Sequence, residues 1–175
     1  MDMTGSKALA FTGHQPESLL FGENELSAVC IRLKALLLDE IMRRAEQGYD
    51  TFYCGAERGI DIIFGDHILL VKMLAHPQLR LIFVVPHKEQ TNGWPEKWRK
   101  RYFDLLERAD DMVLISSRYT HDCHRLCNHY MVDRSNALLA VHDGSESDET
   151  AYTVAYALRA NKEVTCINPY TLERT

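Results

Sequence analysis

The sequence has no apolar run of the length that a membrane-spanning helix needs. Its first residues, "MDMTGSKALAFTG", lack the apolar run and the small-residue cleavage site of a signal peptide. We therefore predict a cytoplasmic protein without membrane contact. Basic residues are also scarce, since 20 Lys and Arg stand against 25 Asp and Glu, for a net charge of −5. Because nucleic-acid binding usually needs a basic excess to release counterions from phosphates, this charge argues against nucleic acid as a partner.

The five cysteines are an odd number and show no framework-like spacing, which predicts reduced thiols rather than disulfides. No internal repeat or low-complexity run divides the chain. With 175 residues, of which 46% are hydrophobic, it has the size and composition of one domain with a substantial core. We predict a single domain over residues 1–175.

Short apolar runs alternate with segments of helical periodicity along the whole chain. Six strands are predicted at Lys7–Gly13, Asp50–Gly55, Leu79–Pro86, Asp111–Ser116, Ala137–Gly144 and Glu163–Pro169. Five helical segments separate them, and Gly48 and Asn161 are the predicted stops of the first and last. This alternation predicts a three-layer α/β/α Rossmann-like domain with a mostly parallel sheet of about six strands.

A long irregular segment, "PHKEQTNGWPEKW", follows the third strand and carries two tryptophans. Packing of Trp98 onto the sheet is the simpler interpretation. A lid over a site is the alternative, because loops at strand ends often carry function. This loop and the sheet edges are also compatible with a homo-oligomer.

In an open parallel sheet, ligands bind beyond the carboxyl ends of the strands. Two loops there carry the flexible backbone that an anion site needs, "TGHQP" and "CGAERGID". In the second, Gly55 and Gly59 flank Arg58, whose guanidinium could bind a phosphate near a helix start. Neither loop has the G-x-G-x-x-G fingerprint or the G-x-x-x-x-G-K-[ST] P-loop, which disfavours ordinary dehydrogenases and NTPases.

Several motifs together resemble one known family. "FTGHQPESL", "YCGAERGID", "VVPHKEQTNGW", "NHYMVDRSNALLAVHDG" and "TAYTVAYA" occur in the order and at the spacing of the YpsA-like family, a branch of the SLOG superfamily with LOG-type and DprA-type relatives. The resemblance extends from about Ala8 to Pro169. It implies a Rossmann-like fold and a site for a nucleotide or nucleotide-derived ligand.

The resemblance and the strand-end loops together give the predicted ligand-binding residues. They are Thr12, Gly13, His14, Gly55, Ala56, Glu57, Arg58, Gly59, Asn128, Asp133 and Gly144. No cofactor is predicted.

The resemblance leaves three functions open. We expect a non-enzymatic domain that binds or senses a nucleotide-like small molecule. LOG-type relatives cleave the N-glycosidic bond of nucleoside monophosphates, and Glu57, Asp61 and Asp133 are the carboxyls that could serve such a reaction here. Asp61 at a helix start and Asp133 beside Arg134 also fit purely structural roles. DprA-like binding of single-stranded nucleic acid is the third function, which the acidic charge disfavours.

The chain departs from the family pattern at three places. Gln15 stands where the family commonly has Arg, and Cys127 stands where Arg often precedes the Asn. "GSESDET" replaces a Gly-Gly-Thr turn and brings Glu146, Asp148 and Glu149 to the start of the last helix. Capping of that helix is the preferred interpretation, because three carboxylates repel a phosphate.

The stretch "HDCHRLCNHYMVDRS" has the residue types of a zinc site. On a helix, however, Cys123, Leu126, Cys127, Tyr130 and Met131 form one apolar stripe, while the histidines point to other faces. A tetrahedral zinc site needs four converging ligands, so we predict no metal. The same geometry leaves open whether His124 and Asn128 face a ligand or solvent.

Overall fold

The computed structural model describes residues 5–175. Residues 1–4, the first part of the stretch in which we predict no signal peptide, lie outside the described residues. The strands are β1 (Lys7–Gly13), β2 (Tyr49–Cys54), β3 (Arg80–His87), β4 (Asp111–Ser116), β5 (Ala137–Val141) and β6 (Glu163–Ile167). The helices are α1 (Ala28–Glu46), α2 (Ile60–Leu74), α3 (Glu96–Arg108), α4 (Cys123–Asp133) and α5 (Glu149–Arg159), with a 3₁₀ turn at Pro16–Ser18.

The six strands form one sheet in the order β4-β3-β2-β1-β5-β6, and every pair of neighbours is parallel. Core residues of α1, α2 and α3 pack on one face, and those of α4 and α5 pack on the other. The predicted three-layer Rossmann-like fold is confirmed. The sheet order changes direction beside β1, since β2 to β4 lie on one side of it and β5 and β6 lie on the other.

The central strands are buried on both faces, which is why their sequences are almost continuously apolar. All five residues of β5 are buried, and so are the five inner residues of β1. The ring of Phe11 on β1 stacks on Phe64 of α2, with centroids 3.9 Å apart. This contact holds the start of α2 against the end of β1.

Local signals set the helix ends. The Ser27 hydroxyl caps α1 by accepting a hydrogen bond from the Cys30 N–H at 3.2 Å. Gly48 and Asn161, the predicted stops, lie just beyond α1 and α5 with φ of 87° and 56°. Trp98 lies in the first turn of α3 and is only 1% exposed, which agrees with packing on the sheet rather than with a lid.

A buried ion pair ties α1 to the sheet. Arg44 Nε lies 2.8 Å from Glu40 Oε1, and both side chains are almost fully buried. Arg44 also donates a hydrogen bond to Thr165 Oγ1 on β6 at 2.9 Å. Burial tends to raise the pKa of Glu40, but the hydrogen bonds from Arg43 and Arg44 outweigh burial and lower it.

The buried face of α4 differs from the predicted stripe. Cys123, Cys127 and Met131 are buried as predicted, but the Leu126 side chain is 50% exposed and Val132 is buried instead. The helix presents its i, i+4, i+8 line to the sheet, so Leu126 lies on its flank. None of the helices within residues 5–175 is both long enough and apolar enough to span a membrane.

Candidate functional site

A pocket of about 270 Å³ opens at the carboxyl ends of the strands, where the sheet order changes direction between β1 and β5. Such a switch point leaves a crevice because neighbouring connections leave on opposite faces of the sheet. We call this cavity the switch-point pocket. It is lined by Thr12, Gly13, His14, Gln15, Ser18, Gly55, Glu57, Asp61, Pro86, His124, Cys127, Asn128, Asp148, Glu149 and Thr150.

His14 forms the wall of the pocket next to β5. Its side chain is only 2% exposed, and its Nε2 accepts a hydrogen bond from the Asp143 N–H at 3.2 Å. Its Nδ1 lies 3.3 Å from Asp148 Oδ2. His14 therefore links the end of β1 to the loop that leads into α5.

The loop after β2 surrounds a buried carboxyl. Ala56 and Gly59 both have positive φ, 59° and 88°, and this backbone directs the Glu57 N–H to Asp61 Oδ2 at 3.2 Å. A Cβ on Gly55 would meet Asp61 Oδ2 at 3.1 Å, so a larger residue there would crowd the carboxyl. The glycines of this loop thus serve to enclose Asp61.

The environment of Asp61 favours its neutral form. Burial, and then the charge of Glu57, raise the pKa of Asp61 well above its usual range. Its Oδ1 is buried and has no hydrogen-bond partner in the described structure. A protonated Asp61 on the pocket wall would be a hydrogen-bond donor with an unused acceptor beside it.

The Glu57 side chain joins three segments around the pocket. Its Oε1 accepts a hydrogen bond from Gln90 Nε2 at 2.7 Å and lies 3.3 Å from His124 Nδ1. Gln15 Nε2 donates to Oε2 at 3.5 Å. The hydrogen bond with Glu57 raises the pKa of His124 above its ordinary value despite partial burial.

The predicted site residues divide into two groups. Eight of the twelve named carboxyl and ligand-binding candidates surround or closely support the pocket through the first two loops and α4; seven of these line it, and Gly59 supports the loop around Asp61. The lining candidates are Thr12, Gly13, His14, Gly55, Glu57, Asp61 and Asn128. Thus Asn128 and His124 face the pocket, one turn apart on α4.

The remaining candidates lie elsewhere. Arg58 turns away from the pocket and pairs with Glu17 and Glu23, so it does not offer its guanidinium to a ligand there. Asp133 lies at the opposite end of α4, where its Oδ1 accepts a hydrogen bond from the Tyr156 hydroxyl at 2.8 Å. Ala56 is buried behind the loop. Gly144 lies by a separate shallow pocket next to β6.

The acidic turn before α5 contributes residues that sequence reasoning had assigned to capping alone. Asp148 does cap α5, since its Oδ1 accepts a hydrogen bond from the Ala151 N–H at 2.7 Å. Asp148 and Glu149 also line the pocket. The only signal in the sequence was their position after a strand, at the same sheet edge as His14.

The pocket is acidic. Four of the described residues that line it carry carboxyl groups, and none of these lining residues is Lys or Arg. Carboxylates accept hydrogen bonds from hydroxyl and amino groups but repel phosphates. The lining therefore suits a ligand rich in such donors better than a polyphosphate.

The two cysteines nearest the pocket are not activated. The Cys54 thiol donates to the Asp61 carbonyl at 3.2 Å, and the Cys127 thiol donates to the Val84 carbonyl at 2.8 Å. Burial raises the pKa of each well above the usual range for a thiol. Both are packing residues, as the apolar stripe of α4 predicted for Cys127, since a nucleophile would need a lowered pKa.

Two clusters have side chains of metal-ligand type within 4.8 Å of one another. One consists of His87, Cys123 and His124, and the other of His14, His142, Asp143 and Asp148. Neither cluster is confined to one helix. The helical periodicity of the histidine and cysteine stretch therefore could not show either of them.

Comparisons with known proteins agree with the fold and the resemblance. UPF0398 protein BH1768 of Halalkalibacterium halodurans is 28% identical over 174 residues, which cover 95% of this chain and 90% of that protein. A UPF0398 protein of Bacillus thuringiensis (strain Al Hakam) is 28% identical over 154 residues, covering 86% of this chain and 82% of the relative.

A solved structure shares the fold. It is that of DNA processing protein A from Helicobacter pylori, described by its single-stranded DNA binding mode, with a TM-score of 0.60 and 12% identity. The match covers 93% of this chain, but the chain spans only 65% of that protein. Since a protein of this fold binds single-stranded DNA, the prediction from net charge that argued against nucleic acid as a partner is wrong. The sign of the whole chain's charge does not describe each local surface.

The family assignment rests on a match that spans almost the whole chain. The profile of the YspA SLOG family (YpsA) matches residues 9–172, which include both loops around the pocket and the whole of α4. The predicted resemblance is confirmed, and the chain belongs to the YspA SLOG family.

Proposed function

We propose that the protein binds a nucleoside or another nucleotide-derived ligand in the switch-point pocket. The observation that carries this proposal is that two carboxyls with different surroundings lie on one wall of the pocket. Asp61 is buried and favours its neutral form, whereas Glu57 accepts hydrogen bonds. Together they offer a donor and acceptors where the sheet order changes direction, the usual place for ligands in open α/β sheets. The volume of about 270 Å³ lies near the lower end of the range for small-molecule sites, roughly 300–1,000 Å³, which suits one nucleoside-sized group.

The lining chemistry indicates which part of a nucleotide is bound. Glu57, Asp148 and Glu149 can accept hydrogen bonds from ribose hydroxyls or from the amino group of a base. The amide of Asn128 can both donate to and accept from a base edge. Because the lining carries carboxyls and no Lys or Arg among its described residues, each added phosphate should weaken binding.

Calorimetry with four nucleosides and their mono- and triphosphates tests this proposal. We expect a nucleoside or monophosphate to bind, and the matching triphosphate to bind more weakly by roughly tenfold or more because of charge repulsion. Asn128→Ala and Glu57→Gln should weaken binding. Asp133→Ala, on the same helix but outside the pocket, should leave the affinity unchanged. Absence of binding by the whole panel, or an equal loss in Asp133→Ala, would refute the proposal.

Hydrolysis of an N-glycosidic bond is a second candidate, favoured by the unequal surroundings of the two carboxyls. A protonated Asp61 could give its proton to the departing base while Glu57 stabilises the positive charge that develops on the sugar; water then adds to the sugar carbon and gives one proton back to the Asp61 carboxylate. Chromatography of the same incubations would detect the free base. Release of base that is lost in Asp61→Asn supports hydrolysis; intact ligand after long incubation leaves binding alone.

Single-stranded DNA is a further candidate ligand, favoured by the shared fold with the Helicobacter protein. The surface of α3 offers the chemistry, because Lys97, Arg99 and Lys100 are exposed and Phe103 is 50% exposed beside them. Cations that follow a backbone and an aromatic ring that stacks on a base are the usual elements of such binding. Fluorescence anisotropy with a labelled oligothymidylate at low salt tests it. Loss of binding in the double variant Lys97→Ala, Arg99→Ala, with binding retained in Asn128→Ala, would place the DNA on α3. An anisotropy that the wild-type protein leaves unchanged would exclude DNA as a ligand.

We also propose a cytoplasmic location. The five cysteines are all free, which fits a reducing compartment. Cell fractionation with an antibody to the protein checks this, and recovery with the membrane or secreted fraction would contradict it.

A further inference from the structure

We propose that His14, His142, Asp143 and Asp148 bind one divalent transition-metal ion of the Zn²⁺ class, although the sequence predicts no metal. One ligand atom from each of the four residues lies within 4.8 Å of the others. His14 follows β1, His142 and Asp143 follow β5, and Asp148 caps α5. Two segments far apart in the chain, the residue after β1 and the loop between β5 and α5, thus converge on one point.

His142 supplies an observation independent of this clustering. Its side chain is only 10% exposed, and its Nε2 is buried without a hydrogen-bond partner, 3.7 Å from Asp148 Oδ1. A buried imidazole nitrogen normally has a partner, because an unmet polar atom in the interior is costly. A metal ion at the centre of the cluster would satisfy this nitrogen.

The distance between two of the candidate ligands already fits a tetrahedral ion. Zn²⁺ bonds to nitrogen and oxygen at about 2.0–2.2 Å, which places tetrahedral ligand atoms roughly 3.3 Å apart. His14 Nδ1 lies 3.3 Å from Asp148 Oδ2, the spacing of two ligands on one ion. Asp143 Oδ1 lies 3.3 Å from the other ring nitrogen, Nε2, and must turn toward Nδ1 to share the same ion. Binding therefore needs small side-chain rotations rather than a change of fold.

The donor set and its surroundings select the class of metal. Two imidazoles with two carboxylates suit Zn²⁺ and neighbouring first-row ions, whereas Mg²⁺ and Ca²⁺ prefer oxygen ligands throughout. The two carboxylates balance the charge of one divalent ion. Ser145 orients both: its hydroxyl donates to Asp148 Oδ2 at 2.8 Å, and its N–H donates to Asp143 Oδ1 at 2.9 Å. Such outer contacts usually accompany metal ligands.

The ion would also change the character of the switch-point pocket. His14 and Asp148 line that pocket, so a bound ion would lie at its wall. It would supply the positive charge that the lining side chains lack. The metal site itself rests on the four-residue cluster and stands whether or not a nucleoside binds.

Titration of the tag-free full chain with Zn²⁺, after chelation and dialysis, tests the proposal. We expect one Zn²⁺ per chain by calorimetry and visible d–d absorption of a tetrahedral site when Co²⁺ is used instead. His142→Gln and His14→Gln should each lower the Zn²⁺ affinity by roughly tenfold or more. Asp143→Asn should also lower the Zn²⁺ affinity. Because Asp143 lies on an exposed loop, this variant tests the site even if the histidine variants fold poorly.

His124→Gln is the matched control, because His124 belongs to the other cluster of metal-ligand residues. It should leave Zn²⁺ affinity within about twofold, a change too small to reflect the loss of a direct ligand. Circular dichroism of each variant reports folding. If the wild-type chain takes up no Zn²⁺, or if His124→Gln loses it while folded His142→Gln and Asp143→Asn keep it, the assignment is overturned.

Discussion

His124 Nδ1 lies 3.3 Å from Glu57 Oε1, which joins the first turn of α4 to the loop after β2 across the mouth of the pocket. The two residues come from opposite faces of the sheet. Their contact therefore requires an assembled pocket, and its effect on the pKa of His124 can be measured.

Glu57→Gln should lower the pKa of His124 toward its ordinary value of about 6.5, because the hydrogen bond and charge of Glu57 raise it. Since the folded-state pKa is raised, this pair stabilises the fold fully below about pH 6.5 and loses that contribution as pH rises through the folded pKa. Proton NMR titration of His124 checks the shift. His121→Gln, which removes an exposed histidine near the start of α4, should leave that titration unchanged; a His124 pKa that Glu57→Gln does not alter would contradict the role of the pair.

Asp61→Asn should become more stable relative to the wild type as pH rises. The unfolded chain ionises Asp61 near its ordinary pKa of about 3.9, whereas the folded chain resists ionisation because burial raises the pKa. The wild type therefore loses stability as pH rises from about 3.9 toward the folded pKa, and Asn does not. Urea denaturation of both proteins across that range measures the difference. A constant difference at every pH would show that Asp61 ionises normally.

Gly59→Ala should destabilise the protein more than Gly48→Ala. Both glycines have nearly the same positive φ, 88° and 87°, so alanine is strained at each, and the ψ of −122° at Gly59 lies in a region that glycine alone adopts readily, at a cost of about 1–3 kcal/mol for another residue. A Cβ on Gly59 would also lie 2.9 Å from Pro16 Cδ, whereas a Cβ on Gly48 would meet nothing within 4 Å. This contact should add about 1–3 kcal/mol. Thermal or urea unfolding measures the loss of stability in each variant. Equal losses would mean that the Cβ added at Gly59 does not contact Pro16.

Arg44→Met should reduce the free energy of unfolding by about 3–5 kcal/mol, because it leaves the Glu40 carboxylate without its buried partner. Arg43→Met is the matched control. The Arg43 side chain also pairs with Glu40 but is 37% exposed, so water can replace part of this contact and its loss should cost less than the loss of Arg44. Similar losses in the two variants would mean that Arg44 contributes no more than a surface ion pair.

Strand positions were predictable because burial on both faces leaves a plain mark in the sequence. The limits of β1 and β4 agree with the predicted runs residue for residue. The predictions failed at residues whose side chains are compatible with two different environments. Leu126 fits a helical stripe but lies on its flank, and Arg58 sits in a loop that suits phosphate but pairs with Glu17.

The candidate site was predictable only in part, because its contacts join distant segments. The loops around Gly13 and Gly55 could be placed at the pocket by the strand-end rule. The burial of Asp61 could not, since acidic residues at helix starts are common and usually solvated. Likewise, His142 gave no local pattern that pointed to His14, which lies 128 residues earlier in the chain.

The position of β5 beside β1 has a consequence for the order in which the protein becomes functional. The Asp143 N–H reaches His14 across 129 residues, so the two sides of the pocket leave the ribosome far apart in time. A nascent chain that has folded its first four strands already has the loop after β2 but lacks the wall of the pocket that the loop after β5 forms. The ligand binding proposed above therefore requires docking of β5, and such a ligand would stabilise the completed chain over truncated products.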